Sequence, residues 1–339
     1  MIAIPLLTLV PGVSGGSEVY ARELLRSLAG NGAFDYRVLV PPAAPDAAGD
    51  LPSAVSGHGG PRPLALLRSA LGPMLRDVDL VHYPLTVPVP RAKAPTIVTL
   101  HDLQHRDLPQ LFSRTERTYR SVAYDGAAKR ADAVIVISEF VRGRALEVLR
   151  LDPAKVHVTP LGLDHATLRP APGAREPFLY YPARPWPHKN HGALFDALPL
   201  IRRERPDLRL VLTGGGELPP LPDGVEALGH VPRARVIELL QHASALVFPS
   251  LYEGFGLPPL EAMACGTPVA CSNAGALPEV VGDAARLFDP RDPQAIADAT
   301  LEVVDDPAPW VERGLARAAG FSWDATARAT EDVYRALLG

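Results

Sequence analysis

Short apolar runs alternate along this chain with stretches in which apolar residues return every three or four positions, so strands and helices take turns. In the first half, Ile2–Leu9, Tyr36–Val40, Leu80–Tyr83, Thr96–Leu100 and Ala133–Ile137 predict strands. In the second half, Phe178–Tyr181, Leu208–Thr213, Ala245–Phe248, Val269–Cys271 and Ala285–Phe288 do the same. Strands separated by helical patterns indicate parallel α/β units. The helix after the first glycine turn is the plainest, with Val19, Leu24, Leu25 and Leu28 at helical spacing. Two stretches break the rhythm. Pro41–Pro63, rich in Pro, Ala and Gly, reads as a long loop, and Pro170–Pro177 reads as an interdomain linker.

Composition narrows the class. A chain of 339 residues with 47% hydrophobic residues is long for one core and suits two α/β domains. The net charge of −4, with no basic cluster interleaved with aromatics, excludes an electrostatic footprint for nucleic acid. Cys265 and Cys271 fall on a predicted helix and a predicted strand, which indicates no structural disulfide and suits a reducing compartment. The opening MIAIPLLTLVPG lacks a basic leader and reads as a first strand, not a signal peptide. No apolar run approaches the ~20 residues that span a bilayer, so a cytoplasmic, soluble protein is expected, with peripheral membrane contact left open.

The densest chemistry lies between Phe248 and Asp283, FPSLYEGFGLPPLEAMACGTPVACSNAGALPEVVGD. Glu253 and Glu261 are separated by seven residues around a glycine-rich turn, the first on a loop after a strand and the second near a helix start. Gly254 and Gly256 permit close backbone approach, and a helix N-terminus there offers N–H groups to an anion. This segment resembles the E-x7-E motif of the retaining glycosyltransferases of family GT4, and GTPVACSNAGALPEVVGDAA continues the likeness. The resemblance implies the GT-B fold, two Rossmann-like domains facing each other across a cleft. It also implies that Glu253 contacts hydroxyls of a donor sugar and that Glu261 holds the nucleotide ribose, with Gly254, Phe255, Gly256 and Leu257 lining the donor.

Other segments extend the likeness. GVSGGSEVY follows the first strand and opens a helix; its Gly15 and Gly16 match the family's glycine-rich loop, though alone they equally describe a strand-to-helix turn. His101 ends the run TIVTL where open α/β sheets assemble their sites, and in family relatives such a histidine faces the donor sugar. Asp102 either orients it or caps the next segment. Arg184 and Lys189, in YYPARPWPHKNH after a strand, suit a diphosphate clamp that also absorbs the charge of the departing nucleotide. Ser138 and Glu139 resemble a family segment near the domain junction, but a helix N-cap is the simpler reading. His58, His82 and His105 carry no assigned role.

The expected domains are 1–169, on the acceptor side and joined by a returning helix at 323–339, and 178–322, on the donor side. No metal is expected, since Asp77-Val78-Asp79 reads as a strand-entry turn and His188 and His191 lack a third ligand. No cofactor is expected either; the nucleoside-diphosphate sugar is a co-substrate. No G-x-S-x-G elbow supports a serine hydrolase. The implied activity is metal-independent hexosyl transfer with retention, by front-face attack, to a glycan, lipid-linked or small-molecule acceptor. Similarity to polysaccharide mannosyl- and rhamnosyltransferases favours GDP-mannose over UDP-, dTDP- or ADP-sugars. A nucleotide-sugar 2-epimerase of the same fold and a non-catalytic sugar-nucleotide-binding subunit are the alternatives.

Overall fold

A computed structural model describes residues 1–12, 15–56 and 74–339 of the chain. They gather into two compact units, Met1–Gly162 with Trp323–Gly339, and Leu163–Ser322. Residues 170–177, read from sequence as a linker, belong to the second unit. There Arg175 donates to the carbonyl of Ala243 at 2.8 Å and to Gly266, and burial draws its guanidinium below its usual range.

The first unit is built on a parallel sheet in the order β3-β2-β1-β4-β5-β6-β7. Its strands are β1 (Ile2–Pro5), β2 (Tyr36–Val40), β3 (Ser53–Val55), β4 (Leu80–Tyr83), β5 (Thr96–Leu100), β6 (Ala133–Val136) and β7 (Val156–Val158). β1 carries Ile4 opposite Val38 of β2 and Ile2 opposite Leu80 of β4. The strand order reverses between β1 and β4, and such a switch point opens a crevice at the carboxyl ends. β1 stops at Pro5, not at Leu9, because the chain turns and the amide of Leu9 bonds the carbonyl of Leu6. The stretch read as a loop from Pro41 contains β3 and buries Ala44, Ala47 and Ala48; residues 57–63 of it lie outside the described part.

After β1 comes α1 (Gly16–Asn31), which buries Tyr20, Ala21, Leu24, Leu25 and Leu28. Val19, expected on that face, is 41% exposed because Tyr20 and Ala21 lead the two inward rows. α2 (Gln104–Asp107), α3 (Arg114–Arg120), α4 (Gly126–Arg130) and α5 (Glu139–Leu149) follow. Ser138 caps α5, its hydroxyl accepting from the amide of Val141 at 3.1 Å.

The second unit carries a parallel sheet in the order β10-β9-β8-β11-β12-β13. These are β8 (Glu176–Pro182), β9 (Arg209–Thr213), β10 (Val225–Ala227), β11 (Ala243–Phe248), β12 (Val269–Ser272) and β13 (Arg286–Phe288). Tyr180 of β8 lies between Val211 of β9 and Leu246 of β11, so the switch point of this sheet falls between β8 and β11. Its helices are α6 (His191–Glu204), α7 (Arg233–His242), α8 (Leu257–Ala264), α9 (Leu277–Val281), α10 (Pro293–Asp305) and α11 (Ala308–Ala318).

The last helix, α12 (Trp323–Leu338), belongs to the first unit and packs on α1. Its polar contacts run from the exposed Asp324 to the buried Glu331. Asp324 accepts from the Ser27 hydroxyl and from the Asn31 amide at 3.2 Å. Glu331, only 4% exposed, accepts from the backbone amide of Ala33 at 2.6 Å and from the Tyr36 hydroxyl. A buried carboxylate is tolerated when its lone pairs are used in this way.

Candidate functional site

In the second unit, the loops leaving β8 and β11 flank the switch point and are tied to each other by hydrogen bonds to backbone carbonyls. A short turn at Pro187–Lys189 ends on Asn190 in the left-handed region, φ 58, and α6 begins there. Asn190 Nδ2 donates to the carbonyls of Pro249 at 3.2 Å and Pro290 at 2.7 Å. The amide of Leu251 donates to the carbonyl of His188 at 2.7 Å, and the Tyr181 hydroxyl to that of Lys189 at 2.6 Å. On this platform Lys189 Nζ donates to Glu253 Oε1 at 2.6 Å, with both side chains 14% exposed. The ammonium also lies 5.3 Å from the Phe248 ring centre. Arg184 comes from the same loop, its guanidinium 5.9 Å from the ring of Trp186. His191 is buried, bonds the Ala183 carbonyl and is pushed down to about 4 by that burial, which suits a structural role.

Glu253 is held from behind. The amide of Ala276 donates to its carbonyl at 3.0 Å, and at Gly275, φ +64, a Cβ would stand 2.5 Å from that carbonyl oxygen. Gly256, φ +114, lies so near Leu277 that a Cβ would come within 2.6 Å of its Cδ2. Phe255 is buried and meets Phe321 edge-on at 5.9 Å, so its side chain packs inside the unit. The expectation of an anion site at the start of α8 needs correction. Pro258 and Pro259 occupy its first turn and have no N–H, so the usual set of donors is incomplete.

Glu261, buried in α8, is gripped by a residue that the sequence did not single out. Arg233, at the start of α7, donates from Nη1 to Oε2 at 2.9 Å and from Nη2 to Oε1 at 2.6 Å. The glycine run after β9 was also passed over. Gly214, φ +125, presses on the backbone between Ala183 and Arg184, where a Cβ would approach within 2.7 Å, and Gly216 lies against Pro185. The amide of Gly214 donates to the carbonyl of Gly229 at 2.9 Å, so the glycine run connects the Arg184 loop to the loop that leads into Arg233.

In the first unit, His101 leaves β5 with Nε2 2.7 Å from the carbonyl of Pro84, the residue after β4. A carbonyl only accepts, so Nε2 carries the hydrogen, and Nδ1 of the neutral ring is the acceptor. Burial lowers the imidazole below its usual range, although the Pro84 bond and Asp102 pull the other way. Tyr20 of α1 meets the ring edge-on at 5.1 Å. Asp102 accepts from the amide of Gln104 at 3.0 Å, and its charge also favours the protonated form of the His101 ring. His82 is fully buried between the Thr99 and Tyr334 hydroxyls, at 2.8 and 2.7 Å, and burial pushes it down to about 3. His105 is also buried, at 2.9 Å from Asp125.

Gly15, φ 57, precedes α1, and no atom lies within 4 Å of a Cβ built on Gly16. Close to them, Glu18 of the first turn accepts from the amide of Gly12 at 2.8 Å and from Arg22 at 3.1 Å. A carboxylate thus already answers the positive end of this helix. Among the described residues no group of three His, Cys, Asp or Glu side chains is placed to hold a metal ion, and no helix is long and apolar enough to cross a membrane.

Comparison with known proteins addresses both units. Residues 14–167 match the model of Glycosyltransferase Family 4, and residues 176–306 that of Glycosyl transferases group 1. Over 291 residues the chain is 31% identical to the O-antigen chain mannosyltransferase B of Escherichia coli, covering 78% of this chain and 76% of that one. The chain belongs to glycosyltransferase family 4. The glycosyltransferase is also 32% identical over 259 residues to the D-inositol 3-phosphate glycosyltransferase of Kineococcus radiotolerans, covering 64% of this chain and 60% of the relative. Among solved structures it is similar to sucrose-phosphate synthase from Thermosynechococcus elongatus, with a TM-score of 0.79, 22% identity and 99% and 98% of the two chains covered. Anabaena Alr3699/HepE, solved with UDP-glucose, gives a TM-score of 0.73 at 19% identity, with 98% and 99% covered. These likenesses identify the GT-B fold of two Rossmann-like domains.

Proposed function

We propose that this glycosyltransferase moves a hexose, with retention of anomeric configuration and without a metal ion or other cofactor, from a nucleoside-diphosphate sugar to an acceptor hydroxyl. The observation that carries this reading is the Lys189–Glu253 pair at the switch point of the second sheet, with Arg184 on the same loop. Lys189 and Arg184 are assigned to the diphosphate, and Glu253 to hydroxyls of the transferred sugar. Glu261 is assigned to the ribose, and the backbone at Gly254, Phe255, Gly256 and Leu257 to close contact with the donor. In the first unit, Nδ1 of His101 is assigned as acceptor for a sugar hydroxyl. Gly15 and Gly16 are assigned to close backbone approach, since Glu18 makes that helix end a poor place for further negative charge.

In this scheme the acceptor oxygen attacks the anomeric carbon from the face that the diphosphate leaves. The departing phosphate oxygen takes the acceptor proton, while the cations of the second unit stabilise the charge that accumulates on the diphosphate. The protein contributes positioning and electrostatics. GDP-mannose is the donor we place first, because the O-antigen chain relative is named as a mannosyltransferase. The acceptor is placed among glycans, lipid-linked glycans and small molecules, and the protein in the cytoplasm.

The test is a thermal-shift panel of GDP-, UDP-, ADP- and dTDP-sugars, followed by turnover of the best binder with and without EDTA and NMR of the product's anomeric configuration. A stabilising donor, turnover that survives EDTA and a retained configuration are expected. Inverted product would remove the front-face scheme, and loss of turnover in EDTA the metal independence. A panel in which no nucleotide sugar binds would remove the whole reading.

A further inference from the structure

The forked contact between Arg233 and Glu261 joins two residues of unequal exposure. The Glu261 side chain is 11% exposed, while that of Arg233 is 52% exposed. A guanidinium has five N–H donors and the fork uses two of them; each carboxylate oxygen keeps a further lone pair. Along the rim of the fork, therefore, charged donors and acceptors stand side by side. This rim adjoins the diphosphate cations: Gly214 contacts the Arg184 backbone and its amide bonds Gly229, while Gly215 packs on His230, three residues before Arg233. Such a rim is matched by a group that donates and accepts at neighbouring atoms, which a pair of vicinal hydroxyls does.

We propose that Arg233 acts with Glu261 to read the ribose diol of the nucleotide, Glu261 accepting from a hydroxyl and Arg233 donating to its oxygen, so that the enzyme selects ribonucleotide donors over 2′-deoxyribonucleotide ones. This rests on the assignment of Glu261 to the ribose. It separates GDP-, UDP- and ADP-sugars from dTDP-sugars, and it makes Arg233 a specificity-determining residue. Removing the 2′-hydroxyl leaves a charged donor and acceptor without their partner, a larger loss than the absence of one neutral hydrogen bond.

Calorimetry with GDP against 2′-deoxy-GDP, and UDP against 2′-deoxy-UDP, tests this on the full-length protein. The ribose form of the better base is expected to bind roughly tenfold to hundredfold more tightly. Arg233→Met should lose most of that margin by weakening the ribonucleotide while changing the deoxynucleotide less than about threefold. Arg233→Lys keeps a charge beside Glu261 but lacks the fork, and should also lose most of the preference, with circular dichroism showing both variants folded. Equal binding of ribose and deoxyribose forms by the wild-type protein overturns the proposal, as does an equal loss of both in Arg233→Met. Binding of dTDP with no binding of GDP, UDP or ADP overturns the proposal but leaves the nucleotide-sugar reading standing, which falls only if none of the four binds.

Discussion

Lys189 and Glu253 neutralise each other in a pocket that leaves each 14% exposed, so neither can be removed without stranding the other's charge. Lys189→Ala should lower turnover by roughly a hundredfold, and Lys189→Ala with Glu253→Gln should recover folding stability but not turnover. Wild-type steady-state kinetics in the single variant would take the lysine out of the clamp. The two glutamates should separate cleanly. Glu253→Gln is expected to impair transfer while leaving nucleoside-diphosphate binding within about threefold, whereas Glu261→Gln weakens the nucleotide by roughly tenfold or more. Calorimetry that finds the same loss of nucleotide in both would cancel the division of labour. The candidate glutamates and the cationic loop stood out because they lie in short local patterns, and the fold does bring Lys189 and Glu253 together. Arg233 was not, since its partner is on another helix and nothing in VPRARVIE distinguishes one arginine from the next.

The elements that aim these side chains were legible where they were central in their sheets, whereas three of the four sheet-edge strands were missed. β3, β7 and β10 are each three residues long and mix polar with apolar positions, so no hydrophobic run marks them, while the equally short edge strand β13 was legible from the apolar pair Leu287 and Phe288. The glycines at 214–216 and 275 escaped for a different reason: a glycine's need for space depends on what the fold brings against it. Gly275 illustrates this, because its obstacle is the backbone of Glu253, far away in sequence. Gly275→Ala adds left-handed strain to that clash and should destabilise by about 2 kcal/mol or more, and displacing the Glu253 loop should lower turnover by roughly a hundredfold. Gly143→Ala, inside α5 with no atom within 4 Å of the new Cβ, should instead stabilise by about 0.5–1 kcal/mol. Denaturant midpoints and kinetics of the two variants measure both effects; a fully stable and active Gly275→Ala would show that the turn has slack.

Each unit buries a histidine that resists protonation, His82 in the first at about 3 and His191 in the second at about 4. Unfolded, both return to about 6.5, so below that pH the unfolded chain binds protons that the native one refuses. The sign is a loss of stability on acidification, absent at pH 7.5 and reaching about 2 kcal/mol per histidine at pH 5. His82→Gln should flatten the pH dependence of the first unit's unfolding midpoint, and an unchanged slope would place the acid sensitivity elsewhere. The division of the molecule has a further consequence, in the order of manufacture. Synthesis delivers the strands β1 to β7 of the first unit early, but Glu331, which serves Ala33 and Tyr36, and Tyr334, which serves His82, are delivered only after all of the second unit. On the ribosome the second unit can close while the first still waits with those groups unsatisfied, so the domain that is begun first is the one completed last.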